Sequence, residues 1–429
     1  MNVVLVLVGV AVALFASVVM RRRRPDAPTQ GGFQLPTQID RGDFPRPEAA
    51  WLVALFTSST CDACSTMWPK VAALDSAEVA VCEFEYPEAR ATHDRYEISG
   101  VPIVLIADAE GVVRRAFVGP TSATDLWAAV AAVRDGEVHW AAGYGVRGPS
   151  GAAVTEHSLF QAASISKAVA AVAVLALAEH GDLDLDADVN SMLRRWKLPA
   201  SPHTADTPVT LRHLLSHTAG TTVPGFPGYA EGATVPDVVG VLSGAGANTP
   251  AVESFARPGT VAQYSGGGST IVQVLVEDVT GRAFADVIHD LVLRPFGMTA
   301  SAYEQPLAPE RTAQAALAHD TLGAPVPGGF HVYPELQAAG LWTTAVDLAR
   351  WLLGVQRLLT GDRGGPISPD TARLMVTPVG LGPFGLGPEI AGEGALRRFG
   401  HSGANQGYKS QMEALIDGSS GGVVLTNGE

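Results

Sequence analysis

Two short spacings in this sequence place chemically active side chains one helical turn apart. The first is Ser164-Ile165-Ser166-Lys167, an S-x-x-K arrangement. A serine hydroxyl is a weak nucleophile at neutral pH and needs a base within hydrogen-bond reach. A lysine serves as that base only when partly neutral, which burial against an apolar helix promotes. The second is Cys61-Asp62-Ala63-Cys64, a C-x-x-C pair. A thiol at a helix N-terminus has its thiolate stabilised by the dipole, and a partner three residues on can resolve a mixed disulfide.

The elements that must hold these groups follow from hydrophobic pattern. Ala168–His180 is apolar almost all round and is followed by Gly181, which predicts a buried helix with a glycine stop. Ser164 then falls in its first turn, and Lys167 projects from the same face. Around the cysteines, Trp51–Phe56 is a buried-strand pattern leading to Cys61 at a helix start, and Val79–Phe84 is a second strand. Gly100-Val101-Pro102 leads into the apolar strand Ile103–Ile106, Glu110-Gly111 turns into Val112–Val118, and Ser122–Val133 is expected to be helical. Val138–Gly145 again reads as a strand.

Strand, C-x-x-C at a helix start, then Val-Pro before a strand resembles the thioredoxin family over about Ala50–Val133. The resemblance implies that Cys61 attacks, that Cys64 resolves, that Pro102 stands opposite them in the cis form, and that the module has a thiol partner. Thr60 replaces the family's common tryptophan, and Asp62 beside the thiolate would raise its pKa. A thioredoxin fold without efficient turnover is therefore an open alternative. Cys82, on an expected strand, reads as a small core residue.

Ser164-x-x-Lys167, Tyr264-Ser265-Gly266 and His401-Ser402-Gly403, in that order, resemble the β-lactamase-related serine hydrolases, which include penicillin-binding proteins and esterases, over about Val138–Glu429. Val209–Gly220 and Ala339–Thr344 add to the likeness, especially to the class C, esterase and D-aminopeptidase-like branch. The resemblance implies an α+β DD-peptidase-type fold and acyl transfer without a cofactor on a small ester or amide. Tyr264 would relay a proton to the leaving group, and His401 would stand in for the lysine of the K-T-G strand. Substrate binding would fall to Gly266 and Gly403, and the N–H groups of Ser164 and Ala404 would hold the oxyanion. The middle motif commonly ends in Asn, so Gly266 weakens the case for β-lactam or peptide substrates. In the family a helix precedes the first strand and another follows the last, and neither is evident here. The hydrolase domain is expected to be C-terminally truncated. Ala129–Val133 before Arg134-Asp135-Gly136-Glu137 also resembles the family's first hairpin strand; we expect helix there, which would leave the sheet short of a strand.

Val3–Met20 is free of charge and is followed by Arg21–Arg24, which predicts a transmembrane helix rather than a cleaved signal peptide. The positive-inside bias places the remainder in the cytoplasm. The expected organisation is residues 1–24 as membrane helix and basic flank, 25–47 as linker, 48–136 as an α/β thioredoxin-like module and 137–429 as the α+β hydrolase. Apolar residues make up 47% and charged residues 17%, enough for a large core, and a net charge of −14 removes the basic footprint that nucleic-acid binding needs. His213 and His217 share the spacing of a zinc pair, but Ser216 stands where a glutamate is required, so structural roles are expected. Asp182, Asp184, Asp186 and Asp188 lack the glycine and glutamate of a calcium loop and read as a solvated turn. Gly266, Gly267 and Gly268 read as a tight backbone path. Three rivals to the hydrolase remain: a membrane-anchored thiol-disulfide oxidoreductase, a non-catalytic ligand-binding module, and a fusion or incomplete product that does not fold fully.

Overall fold

The computed structural model describes residues 35–428 apart from 62, 73, 76–78, 120–127, 149 and 321–322. The chain divides into two compact units, the first ending at residue 120 except for residues 69–75, and the second holding those and everything from 121 onward. The expected membrane helix at Val3–Met20 lies outside the described residues. Among the described residues, no helix is long and apolar enough to cross a membrane.

Along the chain as far as residue 120, β1 (Trp51–Ser58) is followed by a 3-10 turn at Cys64–Thr66, α1 (Trp68–Ala72), β2 (Val79–Tyr86), α2 (Arg90–Arg95), β3 (Ile103–Asp108) and β4 (Val113–Val118), all in the first unit except α1 beyond Trp68. The sheet order is β2-β1-β3-β4, with β1 and β2 parallel and the other pairs antiparallel. Leu52, Ala54 and Phe56 of β1 pack with Ala80, Ile103 and Leu105 in its core. The expected linker is corrected over residues 35–47, because Ile39 and Phe44 are buried in that same core. Ile39 N–H donates to Gly111 O, and the buried Arg41 donates to Ala49 O and Asp108 O. Two isolated apolar residues and one guanidinium dock this stretch without any periodic pattern to announce it.

The second unit opens with the hairpin β5 (Ala128–Arg134) and β6 (Glu137–Gly143), then β7 (Phe160–Gln161), α3 (Ile165–His180), α4 (Leu211–Leu215), α5 (Gly266–Thr280), β8 (Ala302–Tyr303), α6 (Leu336–Ala339), β9 (Leu341–Thr343) and α7 (Ala345–Leu359). It closes with β10 (Glu389–Ala391), β11 (Arg398–Asn405), β12 (Tyr408–Leu415) and β13 (Ser420–Thr426). Six strands form one antiparallel sheet in the order β10-β11-β12-β13-β5-β6. A small sheet β7-β9-β8 braces the start of α3.

The helix expected over Ser122–Val133 is therefore corrected over residues 128–133, its residues 122–127 lying outside the described ones: Ala128–Arg134 is a strand, and the sheet is not short of one. Ala129, Ala131 and Val133 face inward while Ala128, Val130 and Ala132 are only half-buried, the two-residue alternation of a strand. Pairing with β13 in the register Ala131 to Val423 overrides the helix preference of the alanines. The boundary at 136/137 moves upstream accordingly. From Ile165 to Leu177 every residue of α3 is buried, and Gly181 ends the helix at φ 84°, as its pattern required.

Candidate active site

Ser164 is the N-cap of α3, and the preceding Ala163 holds φ 51°, a left-handed turn rarely adopted by a residue with a Cβ. That turn leaves the serine half-exposed at the head of a buried helix. Lys167, 4% exposed, points its Nζ back at the serine: it donates to Ser164 Oγ at 2.9 Å and to Ala338 O at 2.7 Å. No carboxylate pairs with it among the described residues. Burial without a counter-ion lowers the lysine pKa to about 7. A substantial fraction is then neutral at physiological pH, the state a general base requires.

Tyr264 closes the other side of the amine, whose Nζ lies 4.9 Å from the centre of its ring. Burial pushes the phenol well above its usual range, against an opposing pull from Ser164, so Tyr264 is a neutral O–H donor. Its hydroxyl is buried with no direct hydrogen-bond partner among the described residues, and so is His401 Nε2. His401 stands on β11, its ring 6.0 Å from that of Tyr264. Its Nδ1 is 2.5 Å from Ser402 O and donates to it, which leaves Nε2 as a bare acceptor. Burial and the nearby Lys167 lower its pKa to about 3. It cannot supply the positive charge of a lysine at this place. Two buried polar atoms without a protein partner are costly unless something else satisfies them.

Close approach of β11 to the nucleophile depends on Gly403. A Cβ there would overlap Ser410 Oγ and Ala162 O and press on Ala163. Strand pairing sets Gly403 opposite Ser410 and Ala404 opposite Lys409, and Ser410 Oγ donates to Ala162 O at 2.8 Å, so Ala404 rides on a strand bonded to the serine turn. The N–H of Gly266, a residue expected to take part in substrate binding, donates to Pro224 O at 3.1 Å. The run Gly266-Gly267-Gly268 gives room instead: a Cβ at each would press on Phe226, Thr222 O and Thr221 Oγ1 respectively.

His217 was missed as a site residue. α4 ends at Leu215, and His217 lies beyond it at φ 57°, so the two histidines do not share a helix face. His213 caps α4 with Thr210. The His217 ring lies 4.2 Å from that of Tyr264, and its Nδ1 accepts the Ser265 N–H at 3.2 Å. Burial, Lys167 and His401 hold it neutral. Only its place beside a buried apolar helix could have marked it in the sequence.

In the first unit Cys61 and Cys64 form a disulfide, with Cys64 buried and Cys61 half-exposed. Cys61 Sγ is 4.0 Å from Val101 O, and the Val101–Pro102 peptide is cis. Burial drives the Cys82 thiol up to about 12, so it stays protonated. Asp184 and Asp188 cap local turns, and Asp186 pairs with Arg212. No cluster suited to a metal occurs among the described residues.

A serine on a helix cap, a buried lysine, a tyrosine and a strand-borne histidine are thus brought together on an α+β scaffold. The Beta-lactamase family model matches residues 124–429, and the chain belongs to that family of serine hydrolases. It is 27% identical over 319 residues to penicillin-binding protein 4 of Amycolatopsis lactamdurans, covering 70% of this chain and 80% of that protein. It is 35% identical over 192 residues to esterase EstB of Burkholderia gladioli, covering 40% of this chain and 46% of the esterase. Against penicillin-binding protein 4* of Bacillus subtilis the match is 32% over 36% of this chain, and it spans 33% of that protein. Among solved structures, a D-stereospecific amidohydrolase from Streptomyces superposes with a TM-score of 0.57 at 23% identity, over 71% of this chain and 90% of that one. That likeness concerns the fold.

Proposed function

We propose that this chain hydrolyses a small ester or amide through an acyl-enzyme on Ser164. The observation that carries the reading is the Lys167 amine, buried, without a counter-ion among the described residues and 2.9 Å from the serine oxygen. Ser164 Oγ attacks the carbonyl carbon as its proton passes to neutral Lys167. The oxyanion is held by the N–H groups of Ser164 and Ala404, donors of a kind worth on the order of 3 kcal/mol each in the transition state. Tyr264 relays the proton taken up by Lys167 to the leaving alkoxide or amine, which leaves the phenol protonated and the amine neutral again, and His401 Nε2 accepts a hydrogen bond from substrate or from the incoming water. Water then attacks the ester carbonyl and releases acid and free serine. A fluorophosphonate or penicillin probe, followed by peptide mass mapping, should label Ser164; an unlabelled serine in folded protein rejects the reading.

A second reading has its own support in the half-exposed Cys61 joined to the buried Cys64. In this thioredoxin-like reading, reduced Cys61 attacks a partner's disulfide, and Cys64 displaces the partner and restores the internal bond. Insulin reduction that Cys61→Ser abolishes supports it; none by the wild type removes it. On sequence alone we also propose that Val3–Met20 anchors the chain with its globular part in the cytoplasm. An externally active reporter fused after Glu429 would contradict that orientation.

A further inference from the structure

We infer that His217 is the positioning residue of the proton relay, holding Tyr264 where its hydroxyl can carry a proton from Lys167 to the leaving group. The inference rests on the serine reading above and says what keeps its tyrosine in place. Tyr264 belongs to no regular element: α5 begins at Gly266 with Ser265 as its N-cap, and Ala262 and Gln263 just ahead are exposed. Its hydroxyl has no direct partner among the described residues, so the side chain must be fixed through its ring and its backbone. His217 grips three residues in a row at this place. Its carbonyl accepts the Gln263 N–H at 2.9 Å, its ring lies 4.2 Å from the Tyr264 ring with the planes 36° apart, and its Nδ1 accepts the Ser265 N–H at 3.2 Å.

The clamp is itself held. His217 stands two residues beyond α4 at φ 57°, where Ser216 Oγ bonds Arg212 O at 2.8 Å and Thr218 Oγ1 at 2.9 Å, and the Thr218 N–H donates to His213 O at 2.9 Å. The Phe384 ring meets the imidazole edge to face at 4.7 Å. Accepting the Ser265 N–H also fixes the tautomer, with Nδ1 bare and the ring proton on Nε2. Burial, helped by Lys167 and His401, keeps the imidazole neutral, so Nδ1 stays an acceptor. Loss of this grip frees a coil residue whose hydroxyl must meet a departing atom, and misplacement of a reacting group by about 1 Å costs on the order of 100-fold.

Leaving groups separate this role from a merely structural one. p-Nitrophenolate departs without a proton, whereas an alkoxide must be protonated as it leaves. kcat/KM of the full chain for ethyl butyrate and for p-nitrophenyl butyrate, which share one acyl group, therefore gives a ratio that reads the relay. His217→Leu, which removes both ring and acceptor, should lower that ratio at least about thirtyfold. His217→Gln, whose amide reaches the Nε2 position instead, should fall with it and guards against a folding defect in the leucine variant. His217→Asn, whose Oδ1 stands where Nδ1 does and which accepts a left-handed φ, should keep the ratio within about threefold of wild type. Added to Tyr264→Phe, His217→Leu should change the ratio less than about threefold, because both residues act through one hydroxyl. An unchanged ratio in folded His217→Leu or His217→Gln, an asparagine variant as impaired as these, or a full thirtyfold fall on top of Tyr264→Phe overturns the assignment, while fluorophosphonate labelling of Ser164 upholds the serine reading. Failure of wild type to hydrolyse either ester, with Ser164 unlabelled, overturns both.

Discussion

Ser164 and Cys61 each precede a partner by three residues, yet the two pairs are mounted differently. Lys167 sits on a sixteen-residue helix whose whole first part is buried. Cys64 sits on a three-residue 3-10 turn ahead of a five-residue helix. Depth is what a lysine base needs, because only desolvation sheds its proton near neutrality. Access is what a thiol pair needs, because its substrate is another macromolecule's disulfide. On the two proposed readings, the same spacing would serve a small carbonyl compound in one unit and a thiol partner in the other.

The comparison breaks most decisively if the nucleophiles can be removed without effect. Ser164→Ala should lower ester hydrolysis by about 10⁴-fold or more, as removal of a nucleophile commonly does. The same variant should leave insulin reduction unchanged, so that one preparation assayed both ways tests the independence of the two centres. Depth itself is read by pH. Lys167 must lose its proton to act, so kcat/KM for a p-nitrophenyl ester should rise about tenfold per unit below about pH 7 and level off above it. Tyr264, raised well beyond the assay range, gives no falling limb. A profile flat from pH 5 to 8 would deny Lys167 the role of base.

Buried charge also has a stability signature. Lys167 holds its proton less tightly folded than unfolded, so its contribution to stability rises with pH between about 7 and 10.5. Glu335 runs the other way. It is fully buried, both carboxylate oxygens lack partners among the described residues, and burial lifts its pKa from 4.5 to about 7. The folded state binds that proton more tightly, so stability falls as pH rises from 4.5 to about 7. Glu335→Gln should raise stability at pH 8 by on the order of 2–3 kcal/mol and leave it little changed at pH 4, measured by urea titration. Smallest of all, Cys82→Ser should cost about 1 kcal/mol and leave thiol exchange intact, as expected of a packing residue.

Much of the site was legible because its parts are local. S-x-x-K lies within one helical turn, and Tyr264, His401 and Gly403 each belong to a short motif with its own fingerprint. What escaped depends on distant residues. His217 acts through a left-handed turn that carries its ring to Tyr264, 47 residues along the chain. Its grip on Gln263 and Ser265 is set by two hydrogen bonds that no periodicity encodes. In the fold, the strands with continuous apolar runs were plain, whereas Ala128–Arg134 was not. Alanine favours a helix locally, and only the partner strand some 290 residues later makes it extended.

That pairing orders events during synthesis. β13 lies between β12 and β5, hydrogen-bonded to both, so the first hairpin of the second unit has no neighbour in its sheet until β13 has left the ribosome. The sheet bearing His401 and Ala404 is completed only at that moment. A nascent chain halted before Ser420 would present a bare strand edge on each side of the gap, the kind of surface that invites pairing with a neighbouring nascent chain.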